Sequence, residues 1–152
     1  MIKRFFAGLL CIVIVFSSQA QKKQLTPEDY GKWQSLGVTD LSPNGEWIAY
    51  HVSIQEDNDT LFITNRSSNK TFKLAFATSP QFSKDNQWIA YRIGVSFKEA
   101  EKLREQMKPV EYKMGLLNLV TGKTEEMKNI NRFMFSPDGK FLAAYLMSPR
   151  ES

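Results

Sequence analysis

The sequence has almost no cysteine or histidine: Cys11 and His51 are the only ones in 152 residues. One cysteine cannot form an intramolecular disulfide, and it offers too few thiolates for a cysteine-ligated metal centre. We therefore expect no structural disulfide, no metal site and no cofactor. The stability of the fold has to come from packing alone.

Long apolar runs are also lacking, apart from Phe5–Phe16 near the amino terminus. That run is short for a membrane span, which needs about 20 residues. It follows the basic pair Lys3 and Arg4. Ser18 and Ala20 place small residues at the two positions that a signal peptidase reads. These features predict a signal peptide over residues 1–20 with cleavage after Ala20, and the alternative is an uncleaved anchor.

An excess of one charge is also missing. The formal net charge is +4, and the predicted signal peptide accounts for two of these positive charges. Lysines and arginines are mixed with acidic residues along the rest of the chain, which argues against a nucleic-acid partner. Cys11 lies inside the apolar run without the small residue that lipidation requires before it. We expect a periplasmic or secreted protein that meets the membrane only during export.

The sequence does contain a motif that is repeated three times, which we call the phrase. Its copies are LSPNGEWIAYHV from Leu41, FSKDNQWIAYRI from Phe82 and FSPDGKFLAAYL from Phe135. The copies start 41 and then 53 residues apart. A period near forty with several short strands in each copy is typical of propeller blades, as in WD-like repeats. The repeats predict an all-β fold, an incomplete β-propeller.

Each copy begins with a turn. Pro43 suits the second position of a type I turn, and Gly45 and Gly139 stand where the chain needs a positive φ to enter the next strand. In the middle copy Asn86 takes that place, and asparagine tolerates the left-handed region better than most residues. We expect the same turn in all three copies.

The strand after each turn is apolar on both faces, which predicts that it is covered on both sides by neighbouring blades. An aromatic residue opens each strand: Trp47, Trp88 and Phe141. Recurrence at one repeat position favours a core role for these rings. The alternative for Trp47 and Trp88 is a platform on which a ligand stacks.

The blades can be placed because Leu61–Leu74 aligns without gaps with Met114–Met127. Each segment predicts strand, turn and strand, so a complete blade has four antiparallel strands. The predicted blades lie near residues 38–77, 78–129 and 130–152, and the third has only its first two strands. About two and a half blades fall short of the 4 to 8 of a complete propeller.

Two short helices are predicted beside the strands. Within a lead-in over residues 21–37, Thr26 as N-cap and Pro27 at the first helical position predict a helix near 27–34. In the second blade an insertion rich in helix formers predicts a helix near 98–108, closed by Pro109.

The lead-in Leu25–Trp33, the phrase around Trp47–Tyr50 and the helical insertion together resemble the amino-terminal part of exported prolyl-oligopeptidase-type serine peptidases. The resemblance implies a propeller that lies over a separate α/β-hydrolase domain and restricts access to short peptides. It also implies that the hydrolase domain carries the nucleophile, followed in sequence by an acid and a histidine.

No catalytic residue can be assigned on this resemblance. The string nearest to a Gly-x-Ser-x-Gly elbow, Gly94–Lys98, lacks the second glycine, and His51 precedes it in the sequence. We predict that the chain is inactive alone, although the family is one of hydrolases. Substrate-binding residues remain unknown.

Dipeptidyl members of the wider family use a pair of glutamates from a propeller insertion to hold the substrate amine. Candidates here are Glu99, Glu101 and Glu105 in the insertion and the adjacent Glu125–Glu126. Glu99, Glu101 and Glu105 alternate with basic residues, as on an exposed helix. Glu125 and Glu126 are neighbours on a predicted strand, so their side chains should point to opposite faces. We therefore assign neither set. Asp57–Asp59 resembles part of a calcium loop but lacks its glycine and closing glutamate.

Two functions are compatible with these features. The leading hypothesis is a non-catalytic propeller segment of a truncated or fragmentary prolyl-oligopeptidase-like peptidase, which gates and scaffolds a hydrolase domain or further downstream polypeptide. The alternative is a periplasmic TolB-like interaction module, whose ring is completed by a partner or by self-association.

Overall fold

The computed structural model describes residues 24–54 and 59–147. The predicted signal peptide, residues 1–20, lies outside the described residues. No helix in the described part of the chain is long and apolar enough to cross a bilayer.

Three antiparallel sheets follow one another along the chain, and each adds its strands in sequence order. In the described part of the chain blade 1 has four strands, blade 2 has four, and blade 3 has two, which confirms the predicted two and a half blades. The strands of blade 1 are β1 (Gln34–Leu41), β2 (Trp47–Ile54), β3 (Thr60–Asn65) and β4 (Thr71–Ala75). Those of blade 2 are β5 (Ala77–Phe82), β6 (Trp88–Ile93), β7 (Lys113–Asn118) and β8 (Thr124–Met127). Blade 3 consists of β9 (Ile130–Phe135) and β10 (Leu142–Leu146).

The first helix, α1 (Pro27–Tyr30), is a single turn and is shorter than predicted. Asp29 caps it by accepting a hydrogen bond from the Thr26 main-chain N–H at 3.2 Å. The predicted helix over 27–34 is wrong in its second half because Gln34 already belongs to β1, where it pairs with Ile54. Pairing with a neighbouring strand outweighs the weak local helix preference there.

The second helix, α2 (Phe97–Glu105), lies in the insertion between β6 and β7. Ser96 is its N-cap, and the Ser96 Oγ accepts a hydrogen bond from the Glu99 N–H. The helix ends three residues before the predicted Lys108 because Met107 takes a left-handed conformation, with φ at 54°. The chain therefore turns before Pro109 is reached.

The three repeated turns have the same geometry, as predicted. Gly45 and Gly139 have φ values of 71° and 75°, and Asn86 takes the equivalent position with φ at 59°. Asparagine is one of the few residues that adopt this conformation at small cost. The middle copy keeps its turn without glycine for that reason.

A repeated serine ties each turn to the strand that follows. The Ser42 Oγ accepts a hydrogen bond from the Trp47 N–H at 2.9 Å and donates one to the Asn44 side chain at 2.7 Å. Ser83 and Ser136 make the equivalent bonds, donating to aspartate carboxylates at 2.5 Å in each case. The Ser-x-Asx pattern of the phrase is thus a hydrogen-bonded turn that has been copied three times.

Two apolar interfaces hold the blades together. The first interface lies between blades 1 and 2, and the second lies between blades 2 and 3. The strand β6 contributes to both interfaces. Ile89 and Tyr91 are buried in the first interface, and Ala90, which points to the opposite face, is buried in the second interface. The buried side chains of the first include Trp47, Ala49, Leu61, Ile63, Ala77, Phe82 and Leu117, and those of the second include Met114, Ile130 and Phe133.

Only blade 2 has the predicted strand that is covered on both sides. The aromatic residue that opens each strand shows the difference, because Trp47 is 8% exposed, Trp88 is half-buried and Phe141 is 71% exposed. Trp47 confirms the predicted core role. For Phe141 that prediction is wrong in this structure, because its face of blade 3 has no covering blade among the described residues.

Tyr91 gives the first interface a dependence on pH. Its burial, and secondarily the negative charge of Glu126, raise the pKa of the phenol above its usual value. Folding therefore favours the neutral phenol, so this contribution to stability is complete below the unfolded pKa of about 10 and is lost as the pH rises through the folded pKa. We expect the free energy of unfolding to fall more steeply above about pH 10 in the native chain than in Tyr91→Phe.

Urea unfolding at pH 8 and at about pH 11 measures this difference. Tyr145→Phe is the matched control, since it removes a phenol that is 56% exposed. Equal slopes for the native chain and Tyr91→Phe would contradict the assignment.

Candidate functional site

A cleft of about 360 Å³ lies where blades 1 and 2 meet, on the side of the fold that carries the helical insertion. We call it the seam cleft. Both blades and the insertion contribute to its walls, which include Asp59, Phe76, Thr78, Arg92, Phe97 and Tyr112. Clefts between structural units that bring a few polar groups together are common ligand sites.

The polar groups of the seam cleft are held by specific contacts. The Arg92 guanidinium lies 5.0 Å from the centre of the Tyr112 ring, and its Nη2 donates to the Asn131 carbonyl at 3.1 Å. On the blade 1 side, the Asp59 carboxylate lies 3.3 Å from the His51 Nε2, without the alignment of a hydrogen bond. The cleft thus presents a cation on one wall and a carboxylate on the other.

The floor of the cleft is made rigid by the connection between the blades. Phe76 joins β4 to β5 with a positive φ of 60°, which is uncommon for a bulky residue. Its N–H donates to the Asp59 carbonyl at 2.7 Å, and its carbonyl accepts from the Gly94 N–H at 2.9 Å. These bonds fix the strained residue and join the loops that carry the cleft walls.

The helix α2 closes one side of the cleft with Phe97 and Ala100. The insertion glutamates Glu99, Glu101 and Glu105 are all exposed and do not line the cleft. The structure therefore does not bring them together with Arg92. Glu126 also lies elsewhere, on β8, where it pairs with Lys113 at 3.0 Å.

The string around Ser96 lies between a strand and a helix, as a nucleophile elbow would. Its backbone is different, because Ser96 has φ at −62° and ψ at 157°, an ordinary extended conformation, and its hydroxyl caps α2. An elbow instead holds its serine on a sharp, strained turn. His51 belongs to another environment, since its ring packs against Gly37, where an added Cβ would lie 2.5 Å from the Nδ1.

Asp57 and Asn58, from the fragment that resembles a calcium loop, lie outside the described residues, and Asp59 is the part of it that the structure places. Within residues 24–54 and 59–147, no group of three or more acidic, histidine or cysteine residues is arranged to hold a metal ion.

Trp88 lies at a second candidate position. It borders a groove of about 490 Å³ at the second interface, together with Leu116, Phe135 and Leu142. The half-buried indole can therefore be reached from solvent, whereas Trp47 stacks on Phe72 inside the first interface, with ring centres 5.9 Å apart.

The face of blade 1 that points away from blade 2 is apolar and only partly covered. We call it the outer face of blade 1, and it carries Ile48, Tyr50 and Phe62. The rings of Tyr50 and Phe62 stack there with centres 5.2 Å apart. In blade 2 the residues equivalent to Ile48 and Tyr50 are Ile89 and Tyr91, which are buried by blade 1. The outer face of blade 1 thus has the composition of an interface.

No family model matches the chain, and no curated protein matches it. Solved structures do match. The β-propeller domain of the Trilobed protease from Pyrococcus furiosus, which has an open velcro topology, is 22% identical, with a TM-score of 0.53 over 74% of this chain and 34% of that one. The fold is that of a β-propeller.

Two acylaminoacyl peptidase structures are similar as well. The enzyme from Pyrococcus horikoshii is 20% identical, with a TM-score of 0.57, and a complex with Z-Gly-Gly-Phe-chloromethyl ketone is 18% identical, with a TM-score of 0.58. In both cases the match covers 81% of this chain and 19% of the other. The chain thus spans about a third or less of the proteins it matches, and the likeness at these identities concerns the fold.

The repeats predicted the propeller but not the walls of the seam cleft. Arg92 occupies the repeat position of His51 and Tyr145, and Tyr112 lies after the insertion. A basic residue at a position where the other copies have ring side chains was the one available signal. Arg92 becomes part of a cleft only because the insertion folds beside it, which the repeat pattern does not show.

Proposed function

We propose that this chain is a non-catalytic propeller segment of an exported prolyl-oligopeptidase-type serine peptidase, in which it gates and scaffolds an α/β-hydrolase domain. The observation that carries the proposal is the blade architecture, whose structural neighbours are peptidases and a protease propeller. The seam cleft supports a role in contacting short peptides, because it offers Arg92 and Asp59 on opposite walls.

The proposal predicts that the purified chain does not hydrolyse peptides. The chain and its Ser96→Ala variant are incubated with a dipeptide p-nitroanilide that has proline at the scissile bond, and the release of nitroaniline is recorded. We expect both rates to equal that of buffer. Hydrolysis by the native chain that Ser96→Ala abolishes would make this chain an enzyme and overturn the proposal.

The outer face of blade 1 favours a second candidate function, an envelope interaction module of the TolB-like kind. Apolar residues at interface positions are suited to another blade, from a partner or from a second copy, and β10 has only β9 as a partner strand among the described residues. Light scattering after size-exclusion chromatography distinguishes the two, since a defined oligomer of the isolated chain favours the second. A reading frame downstream that encodes further blades and a Gly-x-Ser-x-Gly elbow favours the first.

A further inference from the structure

We propose that Arg92 and Arg132 form a binding site for a carboxylate in a cavity where the first strands of all three blades converge. The inference rests on the proposed role in handling short peptides, and it identifies the chemical group that the propeller recognises. We call this cavity the arginine pocket.

The arginine pocket has a volume of about 260 Å³ and is separate from the helical insertion. It is lined by Val38 of β1, by Ser79 and Gln81 of β5, and by Arg132 and Phe133 of β9, with Arg92 reaching in from β6. Since β1, β5 and β9 are the first strands of their sheets, the pocket lies at the edge where the three blades meet. In a complete propeller the blades surround a central channel.

Both arginines border the pocket, and the Arg92 side chain is held against β9, the strand that carries Arg132. The Arg92 Nη2 donates to the carbonyl of Asn131, the residue that precedes Arg132, and the Tyr112 ring supports the same guanidinium from one side. This leaves further N–H donors of Arg92 without a partner in the described part of the chain. A guanidinium fixed in this way loses little freedom when an anion binds.

Neither arginine has a carboxylate partner among the described residues. The ion pairs there are Lys32 with Asp29 and Lys113 with Glu126, and the Asp59 carboxylate lies beside His51. No acidic residue lines the arginine pocket. The nearest acidic position on β1, Asp40, accepts hydrogen bonds from main-chain N–H groups of Leu41 and Phe82. Two cations beside one cavity without a counter-charge favour the binding of an anion.

The chemistry of the lining favours a carboxylate at the end of a peptide. Arginine binds carboxylates through two parallel hydrogen bonds, and Ser79 and Gln81 supply neutral polar groups beside it. Val38 and Phe133 add apolar surface for the side chain of a terminal residue. Together these groups suit the terminal residue of a peptide.

The test measures fluorescence anisotropy of Ala-Ala-Phe labelled at its amino terminus, as the free acid and as the carboxy-terminal amide, with the full chain. We expect the acid to bind at least about tenfold more tightly than the amide, which is the effect of losing a charged hydrogen bond. Arg132→Gln should weaken binding of the acid by about tenfold and leave the amide unchanged. Arg104→Gln is the matched control, because Arg104 is exposed on α2 away from the pocket.

A third peptide, Ala-Glu-Phe amide, separates the two sources of a carboxylate. Binding as tight as that of the acid, and equally sensitive to Arg132→Gln, supports a carboxylate site that reads side chains. Equal binding of all three peptides, or equal effects of Arg132→Gln and Arg104→Gln, would overturn the proposal. Circular dichroism of each variant checks folding, and Arg132→Lys, which keeps the charge, should restore part of the affinity. Because hydrolysis is not measured, failure here leaves the proposed function to its own test.

Discussion

Trp47→Ala is expected to lower the free energy of unfolding by about 3 to 5 kcal/mol, the usual effect of removing a buried large aromatic side chain. Trp47 is 8% exposed, stacks on Phe72 and lies beside Ala49 and Ile63 in the first interface. Truncation would leave a cavity in the apolar interface between the two blades. Domains have only about 5 to 15 kcal/mol of stability in total, so this single change should remove a large share of it.

The repeat supplies a control at the equivalent position of another blade. Phe141 occupies the repeat position of Trp47, directly before β10, but it is 71% exposed. Phe141→Ala should therefore change the free energy of unfolding by no more than about 0.5 kcal/mol, as for other surface sites. Urea titrations followed by far-ultraviolet circular dichroism measure both. Similar losses in the two variants would show that Phe141 is buried in solution, by self-association or by a segment outside the described residues.

The sequence predicted the blades well because their signals are local and repeated. The turn needs a residue that tolerates positive φ, and Gly45, Asn86 and Gly139 are such residues whatever surrounds them. The start of β1 was harder to predict, since the segment after Pro27 has local signals for a helix, and only pairing with β2 makes Gln34 part of a strand.

Exposure could be predicted less well than strand position. The phrase is apolar in all three copies, yet the same repeat position is buried in Trp47 and exposed in Phe141. Burial depends on whether another blade packs on a given face. The sequence of a single copy does not show whether such a blade is present. The seam cleft and the arginine pocket were missed for the same reason, because their walls come from separate blades and from the insertion.

One difference between blades 1 and 2 could be seen only in three dimensions. On β3 of blade 1, Phe62 lies opposite Tyr50, whereas on β7 of blade 2 Gly115 lies opposite Tyr91. The aromatic pair in blade 1 stacks on a half-exposed face, where two rings have room. In blade 2 the Tyr91 ring is buried and occupies the space over Gly115, so a second side chain has no place there.

Gly115→Ala should therefore destabilise the protein by about 1 to 3 kcal/mol through overpacking. A Cβ at Gly115 would lie 2.3 Å from two carbon atoms of the Tyr91 ring, and Tyr91 cannot move aside because the first interface encloses it. Gly94→Ala is the matched control, since its Cβ would meet the Tyr112 ring at 3.6 Å, an ordinary contact. That change should stay within about 1 kcal/mol of the native chain.

A double-mutant cycle decides whether the Tyr91 ring is the cause. In a Tyr91→Ala background the obstacle is absent, and Gly115→Ala should then cost less than about 0.5 kcal/mol. Thermal and urea unfolding of the four proteins give the coupling energy between the two positions. An equal cost of Gly115→Ala in both backgrounds would mean that the backbone of β7, and not the ring above it, requires glycine. In that case the backbone conformation of β7 would explain why blade 2 has Gly115 where blade 1 has Phe62. The packing of the first interface would then not explain this difference between the blades.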